Sequence, residues 1–219
     1  MSVLDVGCGA GGALVVARKL GAAVSGLDAA STLVAIARRR LPGARIDVGD
    51  MEALPFDDGS FDVVTSFNAF QFAGDVGRAL SEARRTCRRA GTVAMLVWGR
   101  RDECDLVRAI VPAVLALLPP APSAAAPIAF AEPGVIEGLM RAAGLAPNAT
   151  GIIECPFVYR DADMAWRAIS AAAPCVRAIA HVGEDAVKRA LLPTFAPFTD
   201  ASGAIRLDNR FRWVTATRA

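Results

Sequence analysis

The sequence predicts an α/β protein built on an open, mostly parallel sheet, and three observations predict it. Short apolar runs alternate with helical patterns from Ser2 to Trp98, a glycine-rich bend separates the first run from the first helix, and aspartates stand where strands end. Such alternation implies parallel strands joined by right-handed crossovers. The first strand, Ser2-Val3-Leu4-Asp5-Val6, breaks into Gly7-Cys8-Gly9-Ala10-Gly11-Gly12, and Ala13 to Leu20 carries a helix pattern ended by Gly21. Glycines permit unusual dihedrals and let a ligand approach bare backbone, while the helix opens with free N–H groups. Gly7, Gly9 and Gly12 satisfy the G-x-G-x-x-G spacing, a corner that two large cofactor classes use.

Two acids narrow that choice. Asp28 ends the run Ala23-Val24-Ser25-Gly26-Leu27, so its carboxylate lies at the carboxyl end of a second strand. An acid there accepts both hydroxyls of an adenosine ribose, in a nicotinamide dinucleotide and in S-adenosylmethionine alike. Asp5 lies two residues before the first glycine and would repel a pyrophosphate. It suits a ligand with no phosphate and a positive end, which tilts the reading toward S-adenosylmethionine.

Length and composition bound the rest. A chain of 219 residues suffices for one α/β domain with a small cap, and 54% hydrophobic against 21% charged residues describes an ordered globular protein. No apolar run is long enough to span a bilayer, and a strand follows Met1 directly, without a secretory signal. The net charge of +2 gives no reason to expect nucleic acid or membrane as a partner. Cys8, Cys87, Cys104, Cys155 and Cys175 are scattered without metal spacing, as reduced thiols in a cytoplasm would be.

Further along, Ser31 is expected to cap a helix from Thr32 to Leu41 that Pro42-Gly43 ends, and Ala44 to Gly49 reads as a third strand closing on Asp50-Met51-Glu52. The turn-rich stretch Leu54 to Ser60 leads into a buried strand, Phe61 to Phe67. Val76, Leu80, Ala83 and Cys87 recur at helical spacing between Asp75 and Arg89, and Gly91 releases a fifth strand, Thr92 to Trp98. Beyond Gly99 the pattern predicts a helix from Asp102 to about Leu118, kinked at Pro112, and an irregular Pro/Ala-rich loop from Pro119 to Pro127. A helix opened by Glu132-Pro133 and stopped by Gly144 follows, then one strand from Ile152 to Tyr159 and helices over Asp161 to Ala172 and Glu184 to Leu192. A single closing strand spans Ala204 to Thr217.

Val3-Leu4-Asp5-Val6-Gly7-Cys8-Gly9, Asp28, Asp50 and Leu54-Pro55-Phe56-Asp57-Asp58-Gly59-Ser60-Phe61-Asp62-Val63-Val64 together resemble the class I S-adenosylmethionine-dependent methyltransferases, in particular the small-molecule group called type 11. The likeness covers Ser2 to Trp98, is looser over Glu132 to Gly144 and the last strand, and is absent between them. It implies a Rossmann-like seven-stranded sheet ordered 3-2-1-4-5-7-6, with helices on both faces and a small helical cap. It also implies that Gly7, Cys8, Gly9 and Gly11 pass around the methionine part of the cofactor while Asp5 helps hold its ammonium. Asp28 would take the ribose hydroxyls, Ala29 would lie against the adenine, and Asp50 and Met51 would contact the same base. Phe67 and Asn68 would face the methionine and the acceptor, with Phe70 and Phe72 as walls for the sulfonium or substrate. Family members carry helices ahead of the first strand; their absence here implies a truncated start or another element over the site. Arg88-Arg89-Ala90-Gly91 replaces the usual basic-Pro-Gly-Gly turn.

Other features take plainer readings. Cys8 is a small buried residue, since no base is placed near it; His181, the only histidine, is surface or cap before it is an acceptor-side base. Arg38-Arg39-Arg40 and the arginines from Arg84 to Arg89 are solvated helix faces, and Asp57-Asp58 is a turn, not a metal site. Position 163 is Asp, so the Tyr-x-x-x-Lys pair of short-chain dehydrogenases is missing after Tyr159. The expectation is one cytoplasmic methyltransferase domain over 1–219, with a cofactor-binding half over 1–99 and a cap with C-terminal strands over 100–219. It would move a methyl group from S-adenosylmethionine to a small, apolar or amphipathic acceptor by alignment, leaving S-adenosylhomocysteine, with no named catalytic residue and no metal. The alternatives are a nicotinamide-dependent oxidoreductase and an inactive S-adenosylmethionine-binding remnant.

Overall fold

A computed structural model describes residues 1–119 and 130–219. The chain starts β1 (Ser2–Val6), α1 (Gly12–Lys19), β2 (Ala23–Asp28), α2 (Ser31–Arg40), β3 (Arg45–Val48), β4 (Phe61–Phe67), α3 (Val76–Thr86) and β5 (Cys87–Trp98). Then come α4 (Val111–Leu115), α5 (Val135–Ala142), β6 (Leu145–Glu154), β7 (Phe157–Tyr159) and α6 (Ala162–Ile169). The chain closes with α7 (Ala173–Val182), α8 (Glu184–Leu191), β8 (Ile205–Leu207) and β9 (Arg210–Arg218). Among the described residues, no helix is long and apolar enough to cross a membrane.

One compact unit comprises Met1–Val97, Ala129–Ile152 and Arg212–Ala219. Its sheet has seven strands in the order β3-β2-β1-β4-β5-β9-β6, and the first five pair in parallel. Counting strands of this sheet alone, that is the expected order 3-2-1-4-5-7-6. Side chains alternate across β1 because a strand's period is two. Val3 therefore joins Leu14, Val24, Val34 and Ile46 on one face, while Leu4 and Val6 join Val64, Leu80, Met95 and Met140 on the other. Both faces are covered, as the run of apolar residues in β1 requires.

The turn-rich stretch between β3 and β4 is tied down by one side chain. Arg85, on the last turn of α3, donates to the backbone carbonyls of Leu54 and Phe56 at 2.9 and 2.8 Å and to Asp58 at 2.7 Å. It also forms a two-pronged pair with Glu82, whose Oε2 accepts from the Leu54 N–H. A planar guanidinium can fan its donors over all of these at once. The Leu-Pro-Phe-Asp-Asp-Gly-Ser segment is thus an anchoring element of the fold.

The second unit comprises Trp98–Ile128 and Ile153–Phe211. Its two-stranded antiparallel sheet, β7 with β8, and helices α4, α6, α7 and α8 surround a core of Ile110, Trp166, Ile169, Val187, Leu191 and Phe195. Trp98, Phe157 and Phe211 cluster with ring centroids 4.6 to 6.4 Å apart.

Several elements differ from their sequence reading. Ser31 is not a cap: Ala30 holds that position, and Ser31 is the first helical residue. The helix expected to reach Arg89 ends at Thr86, because Cys87 pairs with Phe61 and starts β5 five residues early. Ala90, at φ 58°, sits inside this early stretch of β5. The helix expected from Asp102 is broken into a 3₁₀ turn, a π-helical segment Leu106–Ile110 and α4, with Pro112 near the start of α4, where its missing N–H is harmless. The strand expected from Ile152 to Tyr159 is two, β6 and β7, and β6 starts at Leu145. The closing strand is also two, because the buried Asn209 turns the chain by donating to Leu207 O and accepting from the Leu106 N–H. Helix α7 had no sequence signal, and His181 is exposed in its last turn. Of the Pro119–Pro127 loop, only Pro119 lies within the described residues.

Replacing Arg85 with alanine removes bonds to two carbonyls and two carboxylates. It is expected to cost about 2 kcal/mol, seen as a lowered urea midpoint, with lysine recovering less than half because it lacks the fork.

Candidate functional site

The site is built where β1 and β2 end side by side. Val6 pairs with Leu27, and the chain then turns over the tip of β2. Leu27 O accepts from both the Gly7 N–H at 2.8 Å and the Cys8 N–H at 3.0 Å. Gly7, Gly9 and Gly11 have φ of 77°, 53° and 79°, the left-handed region open to glycine. At Gly7 space is short as well: a Cβ would come within 2.1 Å of the Ala69 Cβ, so the bend and the segment after β4 lie backbone against side chain.

Asp28 completes the corner. Its Oδ2 accepts from the Gly9 N–H and its Oδ1 from the Ala30 N–H, each at 2.8 Å. A carboxylate offers about four acceptor positions, so two remain for a ligand. Gly7, Leu27, Asp28, Ala29, Gly49, Met51, Asn68, Ala69 and Phe72 line a cleft of about 220 Å³. A second cleft, about 430 Å³, shares Ala29, Gly49, Met51 and Phe72 and adds Asp50, Glu52 and Gly74. Asp50 Oδ1 accepts from the Glu52 N–H at 2.9 Å, which fixes the turn carrying Met51. The charged residues lining the two clefts are all acidic: Asp28, Asp50 and Glu52.

Asp5 takes a different place from the other predicted residues. It is 2% exposed, stands behind the bend and accepts from the Thr65 hydroxyl at 2.7 Å. Burial raises its pKa from 3.8 to about 7; the Thr65 bond opposes that shift and the Asp28 charge adds to it. Cys8 is buried too, and its thiol is pushed up to about 12, chiefly by burial and then by Asp5 and Asp28. Gly26 makes room for it: a Cβ there would lie 2.8 Å from both Cys8 Sγ and Leu14 Cδ1. Cys8 therefore contributes backbone and packing, not a nucleophile.

Gly7, Asp28, Ala29, Met51 and Asn68 are brought together around the first cleft, with Asp50 beside them in the second. Gly11 packs against α2, where a Cβ would meet Leu41 and Ala37, and Phe67 is half exposed at the end of β4. Phe70 is no wall: it is fully buried in the core with Leu4 and Leu80. Phe72, by contrast, is 63% exposed and lines both clefts. Sequence reasoning missed Leu27, Gly49 and Ala69. Gly49 had a signal, a glycine after β3, and a Cβ on it would press within 2.9 Å of Leu27 Cδ1.

The segment after β4 carries strain and unmet polarity. Asn68 has φ 56° and its N–H donates to Leu96 O at 2.8 Å, yet its Oδ1 is buried without a partner. Both amide atoms of Gln71 are buried and unbonded as well. Each such group costs about 1–3 kcal/mol, and such costs gather at functional sites.

Residues 4–95 match the family described as methyltransferase domain. A 37.1 kDa uncharacterized protein in transposon TN4556 of Streptomyces fradiae is 39% identical over 100 residues, covering 43% of this chain and 29% of that protein. The malonyl-[acyl-carrier protein] O-methyltransferase of Salmonella typhimurium is 40% identical over 93 residues, covering 42% of this chain and 37% of the relative. The chain thus spans about a third of the length of these curated relatives. A solved geranyl diphosphate C-methyltransferase from Streptomyces coelicolor A3(2), in complex with S-adenosyl-L-homocysteine, shares the fold. Its TM-score is 0.55 at 17% identity, over 100% of this chain and 71% of that one. Over residues 4–95 the chain is thus similar to methyltransferase domains, and it shares the fold of solved methyltransferases.

The raised pKa of Asp5 has a thermodynamic sign. The folded state holds a proton on Asp5 that the unfolded chain releases near 3.8, so this group lowers stability as pH rises from about 4 to about 7, and no further above that. Asp5→Asn keeps the acceptor for Thr65 and removes the charge. It should melt on the order of 5 °C above wild type at pH 8, with the gap narrowing below pH 7 and closing near pH 4, as read by calorimetry.

Proposed function

We propose that the chain is an S-adenosylmethionine-dependent methyltransferase acting on a small-molecule acceptor. The observation that carries this reading is the Asp28 carboxylate. Two backbone N–H groups fix it at the tip of β2, and two acceptor positions stay free beside a bend too tight for a side chain at Gly7. That arrangement fits a vicinal diol on an uncharged sugar. The acidic lining of both clefts opposes a pyrophosphate, which disfavours a nicotinamide dinucleotide.

When bound, S-adenosylmethionine supplies a methyl group on a sulfonium, ready for in-line displacement by a lone pair of the acceptor. The chain's own residues bind and orient. Asp28 accepts from the ribose hydroxyls, Ala29 and Met51 flank the adenine, and the free oxygen of Asp50 accepts from its amino group. Gly7 and Gly9 carry the methionine portion past bare backbone, with Cys8 and Gly11 holding the shape of the bend. Phe67 and Asn68 face the methionine and the acceptor, while Phe72 offers an aromatic face that favours a cation. Positioning of this kind supplies much of the rate enhancement without a general base. The Salmonella typhimurium relative is named malonyl-[acyl-carrier protein] O-methyltransferase, which supports an oxygen atom as the methyl acceptor.

Titration calorimetry is expected to give micromolar binding of S-adenosylhomocysteine and none of NADH. Asp28→Ala should weaken S-adenosylhomocysteine by about a hundredfold, the loss of two charge-assisted hydrogen bonds. Unchanged affinity in that variant sinks the ribose assignment, and preference for NADH sinks the methyltransferase reading.

A further inference from the structure

Two stretches of chain that line the second cleft are tied together by one residue. Asp50 and Met51 belong to the turn after β3, and Phe72, Ala73 and Gly74 to the segment leading into α3. Glu52 is bonded to both. Its N–H donates to Asp50 Oδ1 within the turn, while its Oε1 accepts from the Asp75 N–H just beyond Gly74, each at 2.9 Å. Asp75 is the N-cap of α3, and its Oδ1 accepts from the Arg78 N–H at 3.0 Å. Arg78 closes the ring by donating from Nε to Glu52 O at 3.0 Å. Gly74 gives the carboxylate its path: a Cβ there would come within 3.1 Å of Glu52 Oε1. This ring is not what holds α3 to the fold, because Glu82 and Arg85 already join that helix to Leu54 and Phe56. The Glu52 bonds are solvent-exposed, where each adds little to stability. What they fix is local: the spacing between the turn that carries Asp50 and the segment that carries Phe72.

Resting on the cofactor reading above, we propose that Glu52 is a positioning residue that sets the width of the second cleft and, through it, the choice of nucleobase. Asp50 Oδ1 is engaged by the Glu52 N–H, which leaves Oδ2 for the base. Adenine meets that oxygen with its 6-amino group, and such a bond weakens once donor and acceptor drift past about 3.2 Å. A 6-oxo base in the same place sets oxygen against carboxylate with no hydrogen between them. It can recover only by sliding until its ring N–H faces Asp50. A cleft whose walls are clamped forbids the slide and rejects the oxo base. A cleft whose walls can part permits it, and the two bases become equivalent.

Calorimetry with S-adenosylhomocysteine and with S-inosylhomocysteine, which carries a 6-oxo group in place of the amino group, tests this directly. The wild type should prefer the adenine ligand by more than about tenfold. Glu52→Ala should weaken S-adenosylhomocysteine about tenfold and S-inosylhomocysteine by less than about twofold, so that the preference all but disappears. Glu52→Gln keeps an acceptor for the Asp75 N–H and should recover most of the preference. A Glu52→Ala protein that melts lower yet keeps the wild-type preference has lost only a structural residue, and overturns the assignment. Glu52→Gln behaving like Glu52→Ala overturns it too, because the charge and not the bond would then matter. A wild type that binds both ligands equally also overturns it, while leaving the ribose assignment to Asp28 in place. If the wild type binds neither ligand, the cofactor reading itself fails and takes this assignment with it.

Discussion

The tip of β2 is the constraint on which the site depends. One carbonyl, Leu27 O, takes two backbone donors from the bend after β1, and the next residue's carboxylate takes a third and a fourth. The bend cannot leave that strand without unpairing three of its N–H groups, those of Gly7, Cys8 and Gly9, at once. Its glycines are needed because the path that reaches those acceptors runs through left-handed dihedrals. Everything that makes the cleft specific is positioned from this junction. Gly49 N–H donates to Asp28 O, which carries the turn after β3 to the same spot.

The parts of the fold legible in the sequence were those governed by local patterning. β1 to β4, α1, α2 and the start of α3 follow from apolar period and glycine stops, and their agreement with the structure is close. Failures came where tertiary contacts overrode local signals. Cys87 sits at helical spacing from Ala83, yet the neighbouring strand captures it, and the guanidinium of Arg218 seals the change by donating to the Cys87 carbonyl. Asn209 splits a strand through a hydrogen bond to Leu106, a residue no local window contains. The two-stranded sheet of β7 and β8 is invisible to periodicity because each strand is three residues long.

The candidate clefts were legible in Gly7, Asp28 and Asp50, while of the two aromatics read as walls only Phe72 lines them. Asp28 and Asp50 stand at strand ends, where position alone implies exposure to a ligand. Phe70 and Phe72 are chemically equal in the sequence, and only the 3₁₀ turn decides that one is core and the other cleft wall. The Leu-Pro-Phe-Asp-Asp-Gly-Ser stretch shows the converse. It helps identify the family and yet serves the frame, held by Arg85 away from the clefts. A recognisable motif and a functional motif are therefore different things in this chain.

Phe72 belongs to two compartments at once. A ring standing on the boundary between neighbouring hollows couples their mutational fates: shrinking it to enlarge one also unwalls the other. Lineages that retune this position must adjust both hollows together, whereas changes at Asp50 or Asn68 touch one alone. Diversification is thereby steered toward the polar flanks of the turn, with the aromatic hinge held back by its double duty.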